Sequence, residues 1–271
     1  MNNLTIKKSR EKVSNVKVNP KLYENKIDIN EPVTEEQVKE NRELIIDKFI
    51  KYCNAKDITN AYNLLSDDCK NEVFKNIETF NNNYIKVNFE EQRLYSKEKY
   101  NGSTYKVQLY NNGLSTGKQE ESFAEDYYTI IEQDNEEKLN ISSFVKSEKI
   151  ERITNINNIK VNVSKKLVYM EYEIYEFNIT NLTQNPLLLD TKQKTNTMYL
   201  LDKNGVKYYA TGHEVANTLL KILPNATNKI RIKYIKELKT NTANKAVFED
   251  IVLNYLENSN NDKKTKIEVN I

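Results

Sequence analysis

Residues 168–180, VYMEYEIYEFNIT, alternate apolar and polar side chains over most of their length. Alternation with a period of two is typical of a β-strand that packs one face on a core. The stretch therefore predicts one strand in the middle of the chain. The phase of the alternation slips near Tyr175, and such a slip predicts a β-bulge.

More short apolar runs follow toward the C-terminus, separated by turn sequences such as Asn185-Pro186 and Asn204-Gly205. They occupy residues 187–189, 198–201, 206–210, 219–223, 229–235 and 248–255. Seven or eight strands in about 115 residues predict an all-β sandwich. We assign the sandwich to residues 149–257 and a polar tail to residues 258–271.

The layout of residues 177–186 (FNITNLTQNP), 199–205 (YLLDKNG) and 223–232 (LPNATNKIRI) resembles telokin-like immunoglobulin-type domains on bacterial surface proteins. The chain has no tryptophan and so lacks the Cys…Trp…Cys core of antibody domains. Only the architecture carries over. The resemblance implies adhesion, spacing or partner contact rather than chemistry.

The front half begins with helical signals. Thr34 and Gln37 have the spacing of a capping box, and the helix that they start is expected to end near Asn54. A second helix is predicted at 58–65, and a third, capped by Ser66, carries the apolar residues between 73 and 84. Strands are predicted at 94–100, 104–110, 123–133 and 138–145, the first two joined by Asn101-Gly102. Helices followed by an antiparallel sheet predict an α+β architecture.

Residues 52–57 (YCNAKD) and 61–70 (AYNLLSDDCK), with Phe80 and Tyr84, resemble the nuclear transport factor 2-like cone fold of membrane-anchored surface proteins of Firmicutes. The resemblance covers residues 34–148 and implies three helices on a curved antiparallel sheet. Such cones are enzymes in some families and structural modules in others, including an assembly subunit of conjugative secretion systems. The predicted fold class is thus an α+β cone-like domain over 33–148 and an all-β immunoglobulin-like sandwich.

Residues 1–32 are polar and rich in Lys and Asn, and we expect a disordered linker or stalk there. Such a stalk is typical of the segment after a membrane anchor, while the alternative is the ordinary N-terminus of a cytoplasmic protein. Net charge is negative in the front half and positive in the rear half, which solvated charged faces explain. The alternatives are docking of one half on the other and attraction of the rear half to an anionic membrane or wall polymer. No basic cluster is dense enough to predict nucleic-acid binding.

The chain has two cysteines, Cys53 and Cys69, at the ends of a predicted helical hairpin. A disulfide between them would close a loop of about 15 residues, stabilise by roughly 3 kcal/mol, and imply an oxidising compartment. The alternative is two buried free thiols that behave as small hydrophobic groups.

Residues suited to catalysis are few. The chain has one histidine, His213, and five glycines that form no Walker or Rossmann pattern, so we expect no catalytic site, metal or cofactor. Glu125 and Asp126 are the nearest candidates for an acid/base pair inside the cone. The 18 tyrosines favour amphipathic surfaces, with Tyr127-Tyr128 expected to place one ring on each face of a strand.

These features predict a non-enzymatic, extracytoplasmic, membrane-tethered binding or assembly protein of a Gram-positive bacterium, as a structural part of a conjugative or secretion apparatus. Its expected partners are proteins, or copies of itself, at the cell envelope, with wall polymer as a further candidate. Two alternatives stay open: a small-molecule-binding or enzymatic cone, and a surface protein that binds the cell wall or a glycan.

Overall fold

The structure, a computed structural model, describes residues 44–111, 122–189, 197–210, 220–235, 243–255 and 263–271. The chain divides into two compact units, Met1–Arg42 and Glu43–Ile271, and all the described residues belong to the second. The predicted stalk (1–32), the capping box at Thr34 and the single histidine, His213, lie outside the described residues.

Four short helical segments open the described chain. They are α1 (Ile45–Asn54), α2 (Ile58–Asn63), α3 (Asp67–Glu72) and α4 (Ile77–Phe80), which continues through a π-helical turn (Asn81–Ile85) into α5 (Lys86–Asn88). The side chains of Asp57, Ser66 and Asn76 each accept a hydrogen bond from the backbone N–H three residues later, so each starts a helix. The cap at Asn76 divides the predicted third helix into two.

Four antiparallel strands form the front sheet: β1 (Arg93–Asn101), β2 (Thr104–Asn111), β3 (Ser122–Gln133) and β4 (Glu136–Asn140), in that order. The hairpin predicted at Asn101-Gly102 is confirmed. Gly102 has φ +55°, where a side chain would be strained, which is why this dipeptide joins β1 to β2.

The middle sheet contains β5 (Phe144–Ile156), β6 (Ile159–Tyr169), β7 (Tyr172–Asn181) and β12 (Thr227–Ile235), in the order β12-β7-β6-β5. The prediction of one strand over 168–180 is wrong, because β6 ends at Tyr169 and β7 begins at Tyr172. The alternating stretch is a hairpin that turns at Met170 and Glu171 without glycine or proline.

The rear sheet contains β8 (Leu187–Leu188), β9 (Met198–Asp202), β10 (Lys207–Tyr209), β11 (Lys221–Ile222), β13 (Ala243–Leu253) and β14 (Lys263–Asn270). The strand order is β10-β9-β13-β8-β11, and β14 pairs with β13. The segment predicted as a polar tail thus contains a strand, in which Ile267 and Val269 are buried. The middle and rear sheets together make a β-sandwich.

A bulge in β6 decides which way its side chains point. The register with β7 shifts between Val163 and Lys165. Val161 and Val163 pack in the core between the middle and rear sheets, while Leu167 and Tyr169 pack in the core of the front half. An extra residue reverses the faces of all later side chains, so the middle sheet supplies apolar groups to two cores.

The apolar residues of β7 also change face near Tyr175, because the two ends of the middle sheet pack on different cores. Ile174 packs against the front core, whereas Tyr175 and Phe177 belong to the rear core. β7 itself pairs with β12 without a register shift. The bulge predicted near Tyr175 is therefore wrong: β7 is regular, and the extra residue lies in its neighbour β6.

An ionic cluster joins α3 to the middle sheet beside the bulge. Glu72 contacts Lys165 and lies 2.8 Å from Arg231, which is also 2.9 Å from Glu176. The two carboxylate side chains are only 8% and 4% exposed. Burial raises the pKa of Glu176, but hydrogen bonds from Lys229, Arg231 and Ser164 outweigh it, so its pKa is lowered and this carboxylate stays ionised.

The predicted fold class is wrong. Of the described residues, 58% are in strands and 19% are helical, and the strands form several antiparallel sheets that include a half-barrel. Within the described chain, three helices on one sheet are not present. The cap predicted at Ser66 is present, but the helices stay short because a new cap or turn follows within one or two turns.

The proposed boundary near residue 149 falls inside a strand. β5 runs from Phe144 to Ile156 without a break between elements, and pairs with β6 over most of its length. Phe144 belongs to the front core and Ile150 packs against the rear core. The division into two domains stays a prediction, and the strand that would link them is shared.

Truncation of Leu167 tests whether the middle sheet completes the front core. This side chain is 1% exposed. We expect Leu167→Ala to lower the free energy of unfolding by about 2–5 kcal/mol, because it leaves a cavity, as measured by urea unfolding with circular dichroism. Ile153→Ala on β5, where the side chain is 59% exposed, should change it by less than about 0.5 kcal/mol. Equal effects of the two substitutions would contradict the shared sheet.

Candidate functional site

The two acidic candidates on β3, Glu125 and Asp126, point to opposite faces of the front sheet. Glu125 is exposed and forms an ion pair with Lys106 at 2.8 Å. Asp126 is partly buried against the front core. Adjacent residues of a strand point to opposite faces, so the structure does not bring this pair together.

Asp126 instead binds the backbone at the corner between β4 and β5. Its Oδ1 accepts hydrogen bonds from the backbone N–H of Tyr127 at 2.7 Å and of Ser143 at 2.8 Å, and its Oδ2 accepts one from the N–H of Ser142 at 2.9 Å. The Ser143 hydroxyl donates a further bond at 3.2 Å. One carboxylate thus accepts the hydrogen bonds of both backbone N–H groups at the corner where the chain leaves the front sheet.

The corner needs this support because of its backbone. Ser142 and Ser143 both have φ +57°, the left-handed region that disfavours residues with a side chain. The Ser143 carbonyl accepts a bond from the Met170 N–H at 2.9 Å, which ties the corner to the β6–β7 turn. Asp126 therefore holds two strained residues at the point where two sheets meet.

Two tyrosine hydroxyls lie beside the carboxylate. The hydroxyls of Tyr84 and Tyr128 contact each other, and the Tyr84 hydroxyl lies 3.4 Å from Asp126 Oδ2. The two tyrosines are 3% and 0% exposed. Burial, with the nearby Asp126 charge, raises the pKa of both phenols well above the usual value, so both stay neutral.

Aromatic rings fill the space around these groups. Phe49 lies with its ring centroid 5.6 Å from that of Tyr128 in an edge-to-face arrangement, and Phe80 stacks on Tyr84 at 5.7 Å. Tyr62, Phe74 and Phe89 extend the same cluster. The interior of the front half is packed with rings, and the polar atoms of Tyr84, Tyr128 and Asp126 bind one another or the corner.

The electrostatics of Asp126 result from opposing effects. Burial raises its pKa to about 6, and the hydrogen bonds from Ser142, Tyr127 and Ser143 keep it from rising further. A carboxyl with this pKa exchanges a proton near neutral pH. The groups that bind this carboxylate most closely are the backbone N–H groups of the strained corner.

Stability should depend on pH through this group. The pKa of Asp126 is higher in the folded chain than its ordinary 3.8, so the folded state binds the proton more tightly, and stability falls as pH rises from about 4 to about 6. A shift of two pKa units corresponds to about 3 kcal/mol. We expect urea unfolding at pH 4, 5, 6 and 7 to show this decline in the native chain but not in Asp126→Asn.

Glu125, next to Asp126 on β3, provides a matched control. The hydrogen bond from Lys106 lowers the pKa of Glu125, so that carboxylate favours folding above its pKa and Glu125→Gln should leave the decline between pH 4 and 6 in place. If Asp126→Asn and the native chain show the same pH profile, Asp126 does not titrate in the way its surroundings indicate.

Cys53 on α1 and Cys69 on α3 are both buried free thiols in the structure. Burial raises the pKa of the Cys69 thiol to about 12 and that of Cys53 further still. A disulfide between them stays a prediction for an oxidising compartment.

The burial of these thiols predicts low reactivity. The thiolate is the reactive form, so in reduced, folded protein we expect both cysteines to react with a disulfide reagent such as Ellman's more than about a hundredfold slower than in the urea-unfolded chain. The release of the coloured thiolate measures the rate. Fast labelling of either cysteine in the folded state would show that its helix opens readily.

Among the described residues, no group of three or more His, Cys, Asp or Glu side chains is placed to hold a metal ion. Sequence reasoning selected Asp126 but missed its partners. Tyr84 was read as part of an apolar helix face. Tyr127-Tyr128 was expected to place one ring on each face of the strand, and this is confirmed by a buried Tyr128 and an outer Tyr127. The Ser142-Ser143 pair carries no signal of left-handed backbone in the sequence.

Comparisons with known proteins identify no family. No family model and no curated protein matches the chain. A solved structure with some similarity is the "2.2 Angstrom Crystal Structure of Conserved Hypothetical Protein from Bacillus anthracis", with 12% identity over 44% of this chain and 95% of that chain, and a TM-score of 0.29. That similarity is too weak to carry an argument about fold or function.

Proposed function

We propose that this chain is a non-enzymatic binding or assembly protein, in which three antiparallel sheets form a scaffold that meets its partners through outer faces. The packed aromatic interior of the front half carries the proposal. An enzyme or small-molecule binder of this shape needs a concave site with convergent polar groups. Here the corresponding space holds Phe49, Phe80, Tyr84 and Tyr128 in mutual contact.

The polar groups nearest the interior support the same reading. Asp126 uses both of its oxygens on the backbone of the β4–β5 corner, and the phenols of Tyr84 and Tyr128 are neutral and bound to each other. A general base must reach the proton that it removes. These three groups stabilise the scaffold, which leaves the sheet faces as the surfaces for recognition.

The cellular placement is part of the same proposal. We place the chain outside the cytoplasm and tethered to the membrane in a Gram-positive bacterium, with a structural role in a conjugative or secretion apparatus. The polar residues 1–32 and the telokin-like sequence of the sandwich support this placement. Among the described residues, no helix has both the length and the apolar character needed to cross a bilayer.

Intact mass tests the placement. Protein isolated from its native host without reductant should carry the Cys53–Cys69 disulfide if it matures in an oxidising compartment, and non-reducing mass spectrometry detects the loss of two hydrogens. Two free thiols in that sample would contradict the extracytoplasmic placement.

Ligand screening by NMR tests the non-enzymatic scaffold. We expect small-molecule fragments to leave the signals of the buried Tyr84, Tyr128 and Phe49 unchanged at millimolar concentration, because their rings are already packed against one another. Fragment-induced shifts should be confined to exposed residues such as Tyr100 and Tyr209, which are 50% and 42% exposed. A fragment that saturates at Tyr84 and Tyr128 would reveal a ligand site in the interior and overturn the proposal.

A further inference from the structure

The outer face of the front sheet combines exposed tyrosines with a row of hydrogen-bonded polar groups. Val107 and Tyr128, both 0% exposed, point inward from β2 and β3. Alternation therefore places Lys106, Gln108 and Tyr110 of β2 and Tyr127 of β3 on the opposite side. We call this side the tyrosine face.

The polar groups of the tyrosine face form a continuous row across three strands. The Tyr110 hydroxyl lies 3.2 Å from the Ser96 hydroxyl and donates to the Gln108 side chain at 2.9 Å. Gln108 donates to Glu125 at 3.3 Å, and Glu125 pairs with Lys106 at 2.8 Å. The row holds its donors and acceptors in fixed positions before any partner arrives, which lowers the entropic cost of binding.

Aromatic rings lie at both ends of this row. At one end Tyr100, which is 50% exposed, meets Tyr127 with ring centroids 5.1 Å apart and planes at 76°. At the other end lies Tyr110, four residues along β2 from Lys106 and hence about 14 Å away. The row is thus longer than a single sugar ring.

The charges of the face favour an uncharged partner. Glu125 neutralises Lys106, and Glu98 lies opposite Lys106 in the β1–β2 register. These three side chains therefore carry two negative charges and one positive charge. A small negative excess repels anionic polymers and nucleic acid. The remaining groups can stack on apolar ring faces and exchange hydrogen bonds with hydroxyls.

The centre of the face argues against a protein partner. Stable protein interfaces have an apolar, desolvated core and a polar rim. In the tyrosine face this order is reversed, with polar groups in the middle and rings at the ends. We propose that the tyrosine face binds a neutral polysaccharide, with sugar rings stacked on Tyr100 and Tyr110 and their hydroxyls bonded to Gln108 and Glu125.

This inference rests on the proposed function, since it assigns a partner class to a scaffold that binds through its outer faces. The test is co-sedimentation of the full chain with insoluble cellulose, chitin and mannan, and with a polygalacturonate gel as the anionic counterpart. We expect retention on at least one neutral polysaccharide and none on polygalacturonate. Tyr100→Ala combined with Tyr127→Ala should weaken the retention at least tenfold.

Two further variants keep the test decisive. Gln108→Leu leaves every ring in place and should weaken retention several-fold if the polar row takes part. Tyr209→Ala removes an exposed tyrosine from β10 in the rear sheet and should leave retention unchanged. Circular dichroism verifies that each variant is folded.

Each other outcome overturns the proposal. It fails if none of the neutral polysaccharides retains the chain, if polygalacturonate retains it as well as they do, or if the tyrosine variants bind like the native chain. These results would leave the packed interior, and hence the scaffold, untouched. A small molecule that binds in the interior would instead contradict the proposed function itself.

Discussion

The reversal of side-chain direction in β6 is the constraint on which the rest of the structure depends. Because of the extra residue between Val163 and Lys165, a single strand presents Val161 to one core and Leu167 to another. At one end of the middle sheet the front core covers one face, and at the other end the rear core covers the opposite face. Without the bulge, the front helices and the front sheet would lack the apolar residues that complete their core.

Polar interactions fix the position of this shared sheet. Buried ion pairs such as those of Glu72 and Glu176 contribute little net stability, because desolvation offsets the attraction, but removing one partner leaves an unpaired charge. The cluster therefore links α3 to the middle sheet through charges that each need their partner. Asp126 has a comparable role at the corner, where it compensates for two left-handed residues.

Local signals in the sequence were sufficient for some elements. The Asn101-Gly102 hairpin and the cap at Ser66 are encoded by residues next to each other, and both are present in the structure. The caps at Asn76 and the turn at Met170-Glu171 were missed, the latter because apolar alternation continues across it with no turn residue. Strand β14 was hidden by the lysines that surround its two buried residues, Ile267 and Val269.

The site was predictable only in part, for a related reason. The sequence pattern selected Glu125 and Asp126 together, as an acid/base pair on one strand, and did not show which of the two points inward. Its distant partners come from the π-helical turn and the β4–β5 corner, and no spacing along the chain brings Tyr84 or Ser142 next to it. Such long-range partners follow from the way the sheets pack, which sequence periodicity does not specify.

β5, which contributes to both cores, also limits how the protein can evolve. Domains joined by a loose linker can be exchanged between genes by recombination at the linker. In this chain a crossover near residue 149 would cut a paired strand and separate Phe144 from Tyr169, whose ring centroids lie 5.3 Å apart. The front half and the sandwich are therefore bound to be inherited together.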